Sequence, residues 1–336
     1  MRVASVLHDG AHKVGVVVGD PADRVHLLDT TVTMLDLLRS GTLLDAGRDA
    51  LAAPAVALDD VRLLAPLEPP TVRDFVAFEE HVEGMRKLAG IPEAWYDAPT
   101  FYFSNPYATL GPADDVPVPP GCGVLDFELE IGAVIGRTGC DVAPGEGWAH
   151  VAGLTILNDW SARDLQAAEM QVGLGPAKGK DTATTLGPWL VTADEFAPDG
   201  EGFVDLALTA AVNGEVVGED RLAHMGWPFG DLVAYASRGT EVRPGDVLGS
   251  GTCGHGGCLG ELWGRGVTHA ERPPLAPGDV VTLTAEGIGT LSSRVVPGAA
   301  PTPIPRARPR PRVSGVPPQT LSVRNATPST APPENR

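Results

Sequence analysis

Two runs decide the fold: LDFELEIGAVIG at residues 125–136, and GLTILNDWSARDLQAAEMQVGLGPAKGKDTATTLGPW at residues 153–189. In the first, Asp126, Glu128 and Glu130 alternate with Phe127, Leu129 and Ile131. This is the period-2 pattern of a half-buried strand, with the acids on one face. Asp and Glu are poor strand formers, and same-face neighbours lie only about 7 Å apart. Three acids so placed repel one another unless positive charge sits nearby, and a hard divalent cation held by oxygen ligands would supply it. A plainly solvated acidic face is the other reading. Spacing alone leaves both open.

The second run begins with a short apolar stretch that stops at Asn158-Asp159, and residues 161–170 then read as a helix. Ser161 is placed to cap it, with Asp164 in the first turn. A carboxylate where a strand gives way to a helix is rigidly held while facing an opening, so Asp159 joins the candidate acids. Arg163 and Gln166, three apart, share a helix face. Lys180 follows in the loop GLGPAKGK, which imitates a phosphate cradle, but the Walker spacing fails and Asp181 stands where Ser or Thr is required. A nucleotide site is excluded on that ground.

With DFELE-x-GAVIG, NDWSARDLQxxE, GPxKGKD with TxLGPW, and SGTCGHGGCLGELW (250–263), the chain resembles the fumarylacetoacetate hydrolase family over roughly residues 70–295. NDWSARDLQxxE is especially close to the fumarylacetoacetase-like branch. The resemblance implies an α+β fold, a mixed β-sandwich roll carrying a small β-rich N-terminal domain. It further implies a divalent metal site including Glu128, Glu130 and Asp159, filled by Mg, Ca or Mn. Substrate contacts would come from Arg163, Gln166, Lys180 and Thr252, with a His–Glu catalytic pair. Relatives of this kind usually form homodimers.

The composition fits this picture. A chain of 336 residues with 43% hydrophobic content holds a full core. It shows neither a long apolar run nor a signal-peptide pattern, so a cytoplasmic protein is expected. The net charge of −18 argues against nucleic acid and anionic membranes as partners. That charge is uneven: residues 299–336 carry six Arg and one Glu, +5, leaving −23 for the rest. The four cysteines show no framework spacing. The loop Cys253-Gly-His255-Gly-Gly-Cys258 lacks a fourth zinc ligand at recognisable spacing, so free thiols and a tight glycine loop are expected.

Taken in order, residues 1–66 read as the N-terminal domain, with short strands, one helix near 34–38, and His8, His12 and His26 at the surface. Leu67-Glu-Pro-Pro70 reads as a linker. Residues 67–297 form the catalytic domain. A strand over 72–78 enters a helix over 79–88 with His81 in its first turn. By resemblance His81 is the general base, and Asp74, seven residues earlier, is a fourth metal ligand. Val76 stands where fumarylacetoacetase has a substrate-facing Tyr, which puts the substrate's identity in doubt. Most aromatics between 91 and 120 are expected in the core, with Tyr102 near a substrate-facing position. A hairpin turns at Asn213-Gly214, a helix spans 226–237, and His224 has no assigned role. Thr252 is placed to donate to a substrate carboxylate. Glu261 aligns with the glutamate that orients the catalytic histidine; relatives of the acylpyruvase kind take that Glu from H-x-x-E, a position held here by Gly84, with Glu83 beside it as the other candidate. Two strands near 280–295 close the domain. The Pro/Arg-rich residues 298–336 are expected to form a disordered tail.

The expected chemistry is hydrolysis of a carbon–carbon bond in a small 1,3-diketo or 2-oxo acid, an acylpyruvate or fumarylacetoacetate-like compound. Decarboxylation of a 2-oxo acid, or isomerisation or hydration of a 2-hydroxydienoate, would use the same site. A non-catalytic binding protein is the reading from another class.

Overall fold

The computed structural model describes residues 1–29, 31–86 and 89–309. Its spine is a mixed twelve-stranded sheet whose centre runs Arg2–His8, Thr184–Thr192, Val151–Asp159, Leu129–Ile135, Val247–Gly249, Val72–Phe75 and Phe101–Ser104. A second, five-stranded sheet is built from Glu215–Arg221, Ala207–Val212, Val280–Ala285, Gly289–Val296 and Val116–Pro117. The two sheets share one core, in which Leu129, Ile131, Ala133 and Ile156 meet Leu208, Ala210, Leu283 and Leu291. The architecture is the expected α+β, sheet-dominated fold.

Leu129–Ile135 is not half-buried, as its alternation predicts, but buried along its whole length. Its odd-numbered side chains face the small sheet. On the opposite face Val134 packs with Met34, Leu37, Leu38 and Leu43 from two helices of the N-terminal segment. The acidic positions Glu128 and Glu130 therefore sit inside the molecule. Residues 1–66 extend the large sheet, since Arg2 and Val3 pair with Val191 and Leu190, and residues Met1–Pro301 form one compact unit.

The helix Met34–Ser40 is started by a reciprocal capping box between Thr33 and Asp36 and stopped by Gly41 at φ 69°. The hairpin turns at Asn213 and Gly214, with φ of 52° and 81°, the left-handed pair a two-residue turn demands. Two expectations need correction. Ser161 does not cap the following helix: its hydroxyl donates to the Asp159 carbonyl at 2.9 Å, and Arg163–Met170 begins without a side-chain cap. Phe103, Tyr107 and Tyr96 are exposed rather than core; Phe103 carries the Arg73 guanidinium 5.7 Å from its ring centre. The helix after Val72–Phe75 is described as Glu79–Arg86, so its expected extension to 88 lies outside the described residues, as does the tail from 310 onward. Residues 302–309 are exposed and lack regular structure. No helix among the described residues is long and apolar enough to cross a membrane.

Candidate active site

Four adjacent strands bring the acids together. Asp74 lies near the end of Val72–Phe75, level with Tyr102 on one neighbour and Gly249 on the other. Glu130 lies on Leu129–Ile135, and Asp159 closes Val151–Asp159. One carboxylate oxygen from each of Asp74, Glu130 and Asp159 falls within 4.8 Å of the others. All three are buried. Burial and mutual repulsion push Glu130 well above the usual carboxylate range. Burial raises Asp74 too, against the pull of its hydrogen-bond partners. For Asp159, burial, Asp74 and Glu128 together outweigh the attraction of Lys180.

Within the protein, Lys180 Nζ relieves part of this crowding by contacting Asp159. Tyr102 Oη lies 2.7 Å from Asp74 Oδ2 and also contacts Asp159 Oδ2, but one hydroxyl proton serves one acceptor at a time. Glu130 accepts from the Gly251 N–H at 3.1 Å and the Thr252 hydroxyl at 3.4 Å. Asp74 Oδ1 and Asp159 Oδ1 are buried with no hydrogen-bond partner. The space beside Asp74 and Glu130 is kept by a glycine: a Cβ on Gly249 would stand 2.5 Å from Asp74 Oδ1 and 2.8 Å from Glu130 Oε2. Orphaned oxygens, a cradle open only because one residue has no side chain, and an all-oxygen donor set fit a hard divalent cation. Gly249→Ala is accordingly expected to weaken Mg²⁺ binding by at least about tenfold, read by isothermal titration; unchanged binding would show that the cradle lies elsewhere.

Glu128 stands apart from this trio. It pairs with Arg163 Nη2 at 2.7 Å and with Lys180 Nζ, which also contacts Asp159. Burial opposes its charge, yet Lys180 and Arg163 hold Glu128 far below the usual range. Burial likewise opposes the charge on Lys180, but Asp159 and Glu128 keep it above the ordinary lysine value. The expected quartet thus divides into three acids facing one another and one engaged by two cations.

Asp126, the first acid of the alternating run, has a different task. Its Oδ2 accepts from Arg163 Nε at 2.9 Å, Arg163 Nη2 at 2.7 Å and the Gly260 N–H at 2.8 Å, while Oδ1 accepts from the Leu259 N–H at 2.9 Å. The guanidinium is thereby aimed at the cavity, and the spare Nη1 donates to Gln166 Oε1 at 3.3 Å. Glu169 braces the glycine loop by accepting the N–H groups of Ala177 and Gly179, each at 2.9 Å. A Cβ on Gly179 would lie 2.7 Å from Gln166 Cβ, so the loop reaches the helix closely enough to deliver Lys180. Neither positioning role was visible in the sequence.

His81 is buried in the first turn of Glu79–Arg86. Burial pushes its imidazole down to about 4, so it is neutral at pH 7. The expected bond to Glu261 is absent among the described hydrogen bonds; the Cys258 sulfur stands 3.9 Å from His81 Nδ1. Glu261 instead accepts from the N–H groups of His255 and Gly256 at 3.0 and 3.3 Å, and from Arg265 Nε at 2.9 Å. Its side chain nonetheless occupies the space over Gly84, one turn beyond His81: a Cβ there would sit 2.3 Å from Glu261 Cγ. The E-x-x-x-R spacing of Glu261 and Arg265 on one helix was the available signal for that ion pair.

A cavity of about 370 Å³ gathers Asp74, Val76, His81, Tyr102, Glu128, Glu130, Arg163, Gln166, Lys180 and Thr252 along its wall. A larger one, about 800 Å³ beside Arg39, Arg73 and Arg243, contains none of them. Residues 71–296 match the family described as fumarylacetoacetate (FAA) hydrolase, C-terminal. The chain belongs to that family. Among members of the fumarylacetoacetate hydrolase family, it is 32% identical over 269 residues to the human mitochondrial oxaloacetate tautomerase FAHD2A, covering 79% of this chain and 80% of that one. The solved fumarylacetoacetate hydrolase of Exiguobacterium antarcticum superposes with a TM-score of 0.71 at 28% identity, covering 88% of this chain and 99% of its own. A 5-carboxymethyl-2-hydroxymuconate delta-isomerase from Mycobacterium smegmatis gives 0.65 at 27% identity, covering 88% and 100%. The family is enzymatic, and it includes hydrolases, isomerases and tautomerases alike.

Proposed function

We propose that this protein is a divalent-metal-dependent enzyme acting on a small 2-oxo acid, and that it hydrolyses a carbon–carbon bond in a 1,3-diketo acid of the acylpyruvate or fumarylacetoacetate type. The observation that carries the reading is one cavity lined by a neutral buried imidazole and by Asp74 and Glu130, two of three buried carboxylates that crowd together with Asp159.

Asp74, Glu130 and Asp159 would hold Mg²⁺, Mn²⁺ or Ca²⁺. When bound, the ion supplies a Lewis acid that polarises the substrate carbonyl and stabilises the enolate that leaves. The Arg163 guanidinium, locked by Asp126 and Glu128, has Nη1 left to donate to the substrate carboxylate, and Gln166 offers an amide beside it. His81 takes a proton from water as the oxygen adds to the distal carbonyl carbon. The carbon–carbon bond then breaks with its electrons passing to the enolate, and the proton is returned to the enolate carbon. Lys180 sits where its ammonium donates to a developing oxyanion. Glu128 keeps Lys180 and Arg163 in place by pairing with both.

A second reading is favoured by a specific observation. Glu261 is committed to Arg265 and two loop N–H groups, so His81 lacks the carboxylate that would strengthen it against water. A lone neutral imidazole suits proton transfer at carbon, which is what isomerisation or tautomerisation requires; the isomerase and tautomerase relatives make the same point by analogy. Incubating the purified protein with Mg²⁺ and acylpyruvates, fumarylacetoacetate, 2-hydroxydienoates and oxaloacetate separates the two. Hydrolysis is expected to release pyruvate or acetoacetate. Interconversion of tautomers or double-bond isomers without cleavage would give the second reading the site, and inertness toward the whole panel would defeat both.

A further inference from the structure

Beside the glycine loop 251–258 stands a second group of side chains of metal-ligating types. Asp220, near the end of Glu215–Arg221, His224 and His255 each offer a ligand atom, all within 4.8 Å of one another. Asp220 is buried, whereas His224 and His255 are exposed. His224 Nδ1 lies 2.6 Å from Asp220 Oδ1, the carboxylate–imidazole contact that fixes a ring and leaves its other nitrogen free to coordinate. The His224 and His255 rings meet edge to face with centres 6.3 Å apart.

An independent sign that the place is built for positive charge is a buried, unpaired oxygen. Asp220 Oδ2 has no hydrogen-bond partner and faces the backbone of Gly254, whose Cβ would come within 3.2 Å of it. Glu80 lies against the same glycine, and its Oε2 is likewise buried without a partner. A carboxylate oxygen left buried and unpaired is destabilising until a donor or a cation meets it. His255 also holds a φ of 54°, a left-handed conformation that few side chains adopt.

We infer that Asp220, His224 and His255 form a second metal site, which takes an imidazole-seeking transition ion such as Zn²⁺ or Cu²⁺ in preference to Mg²⁺. The donor chemistry sets the preference. Two imidazoles and one carboxylate match borderline ions, whereas the oxygen-only site in the cavity matches hard ones. Three protein ligands at the surface leave a coordination position open to water. Cys253 and Cys258 are buried free thiols outside the three-residue cluster.

The test uses the full-length, tag-free protein with excess Mg²⁺ present, titrated with Zn²⁺ by calorimetry and with one equivalent of Cu²⁺ for electron paramagnetic resonance. The expected result is one Zn²⁺ per chain and a Cu²⁺ spectrum showing imidazole nitrogen coupling. His255→Asn, which tolerates the left-handed backbone, and His224→Gln are each expected to weaken Zn²⁺ binding by about 10–100-fold or more. Both lie at the surface, and circular dichroism checks their folding. Glu130→Gln, in the cavity, is expected to leave this Zn²⁺ equivalent untouched. Zn²⁺ binding that survives both histidine variants, a Cu²⁺ signal without nitrogen coupling, or no binding in the micromolar range would overturn the assignment. None of these readouts depends on turnover, so the outcome is separate from that of the proposed reaction.

Discussion

Glu130→Gln is expected to lower Mg²⁺-dependent turnover by on the order of 10²–10³-fold, the size of losing one preorganised electrostatic contact, while leaving the metal-free fold no weaker. The two halves come from one cause. Glu130 is held protonated-leaning by burial and by Asp74, so its charge is a liability until a cation arrives. The sign of the pH dependence follows. Asp74, Glu130 and Asp159 have folded pKa values above their unfolded ones. The folded metal-free state therefore binds protons that the unfolded chain has released, and stability falls as pH rises from the ordinary carboxylate value, about 4, toward the raised values. Thermal or urea melts without metal should show this decline in the wild type, a shallower one in Glu130→Gln, and its reversal by Mg²⁺ in the wild type alone. A metal-free variant clearly less stable than the wild type at neutral pH would mean that the three acids are not under mutual strain.

His81→Ala is expected to reduce kcat/KM by roughly 10²–10⁴-fold, the usual worth of a positioned general base, with Mg²⁺ binding preserved. Because burial pushes His81 down to about 4, the acid limb of the kcat/KM profile should lie well below the ordinary histidine value of about 6.5. Stability carries the opposite sign from the carboxylates. A histidine with a depressed folded pKa contributes stability that is present above its unfolded value and lost as pH falls from about 6.5 toward about 4. That loss should disappear in His81→Ala. A profile bending near the ordinary histidine value, or a variant that keeps wild-type cleavage, would remove His81 from the role of base.

The acids of the site were legible because alternation is a local property. Glu128 and Glu130 share a strand face, and a chain that puts acids there must account for them. What local pattern cannot say is which acid meets which cation. Glu128 leaves the trio because Lys180, fifty-two residues away, reaches it through a loop whose position depends on Glu169 and Gly179. The alternation likewise misjudged burial. It reports one apolar face correctly, but the other face is covered by Met34, Leu37 and Leu38, whose arrival depends on the N-terminal segment folding back over the sheet. Exposed Phe103 and Tyr107 were read as core for a related reason: hydrophobicity says what a side chain tolerates, and topology decides whether anything covers it. The Glu261–His81 pairing, taken from resemblance, placed the carboxylate in the right neighbourhood but not with its partner.

The contact between Gly84 and Glu261 constrains how this scaffold can diverge. A glutamate on the histidine-bearing helix and a glutamate delivered by the crossing helix compete for one volume, since any Cβ at 84 would overlap the Glu261 chain. A Cβ on Gly264 would in turn lie 1.9 Å from the Gly84 carbonyl oxygen, so the two helices are in close backbone contact at this point. Movement between the two layouts must therefore pass through a deletion of one acid before the other is gained, an epistatic step in which the intermediate has neither. Engineering that route calls for simultaneous exchange at both sites rather than a walk through single replacements.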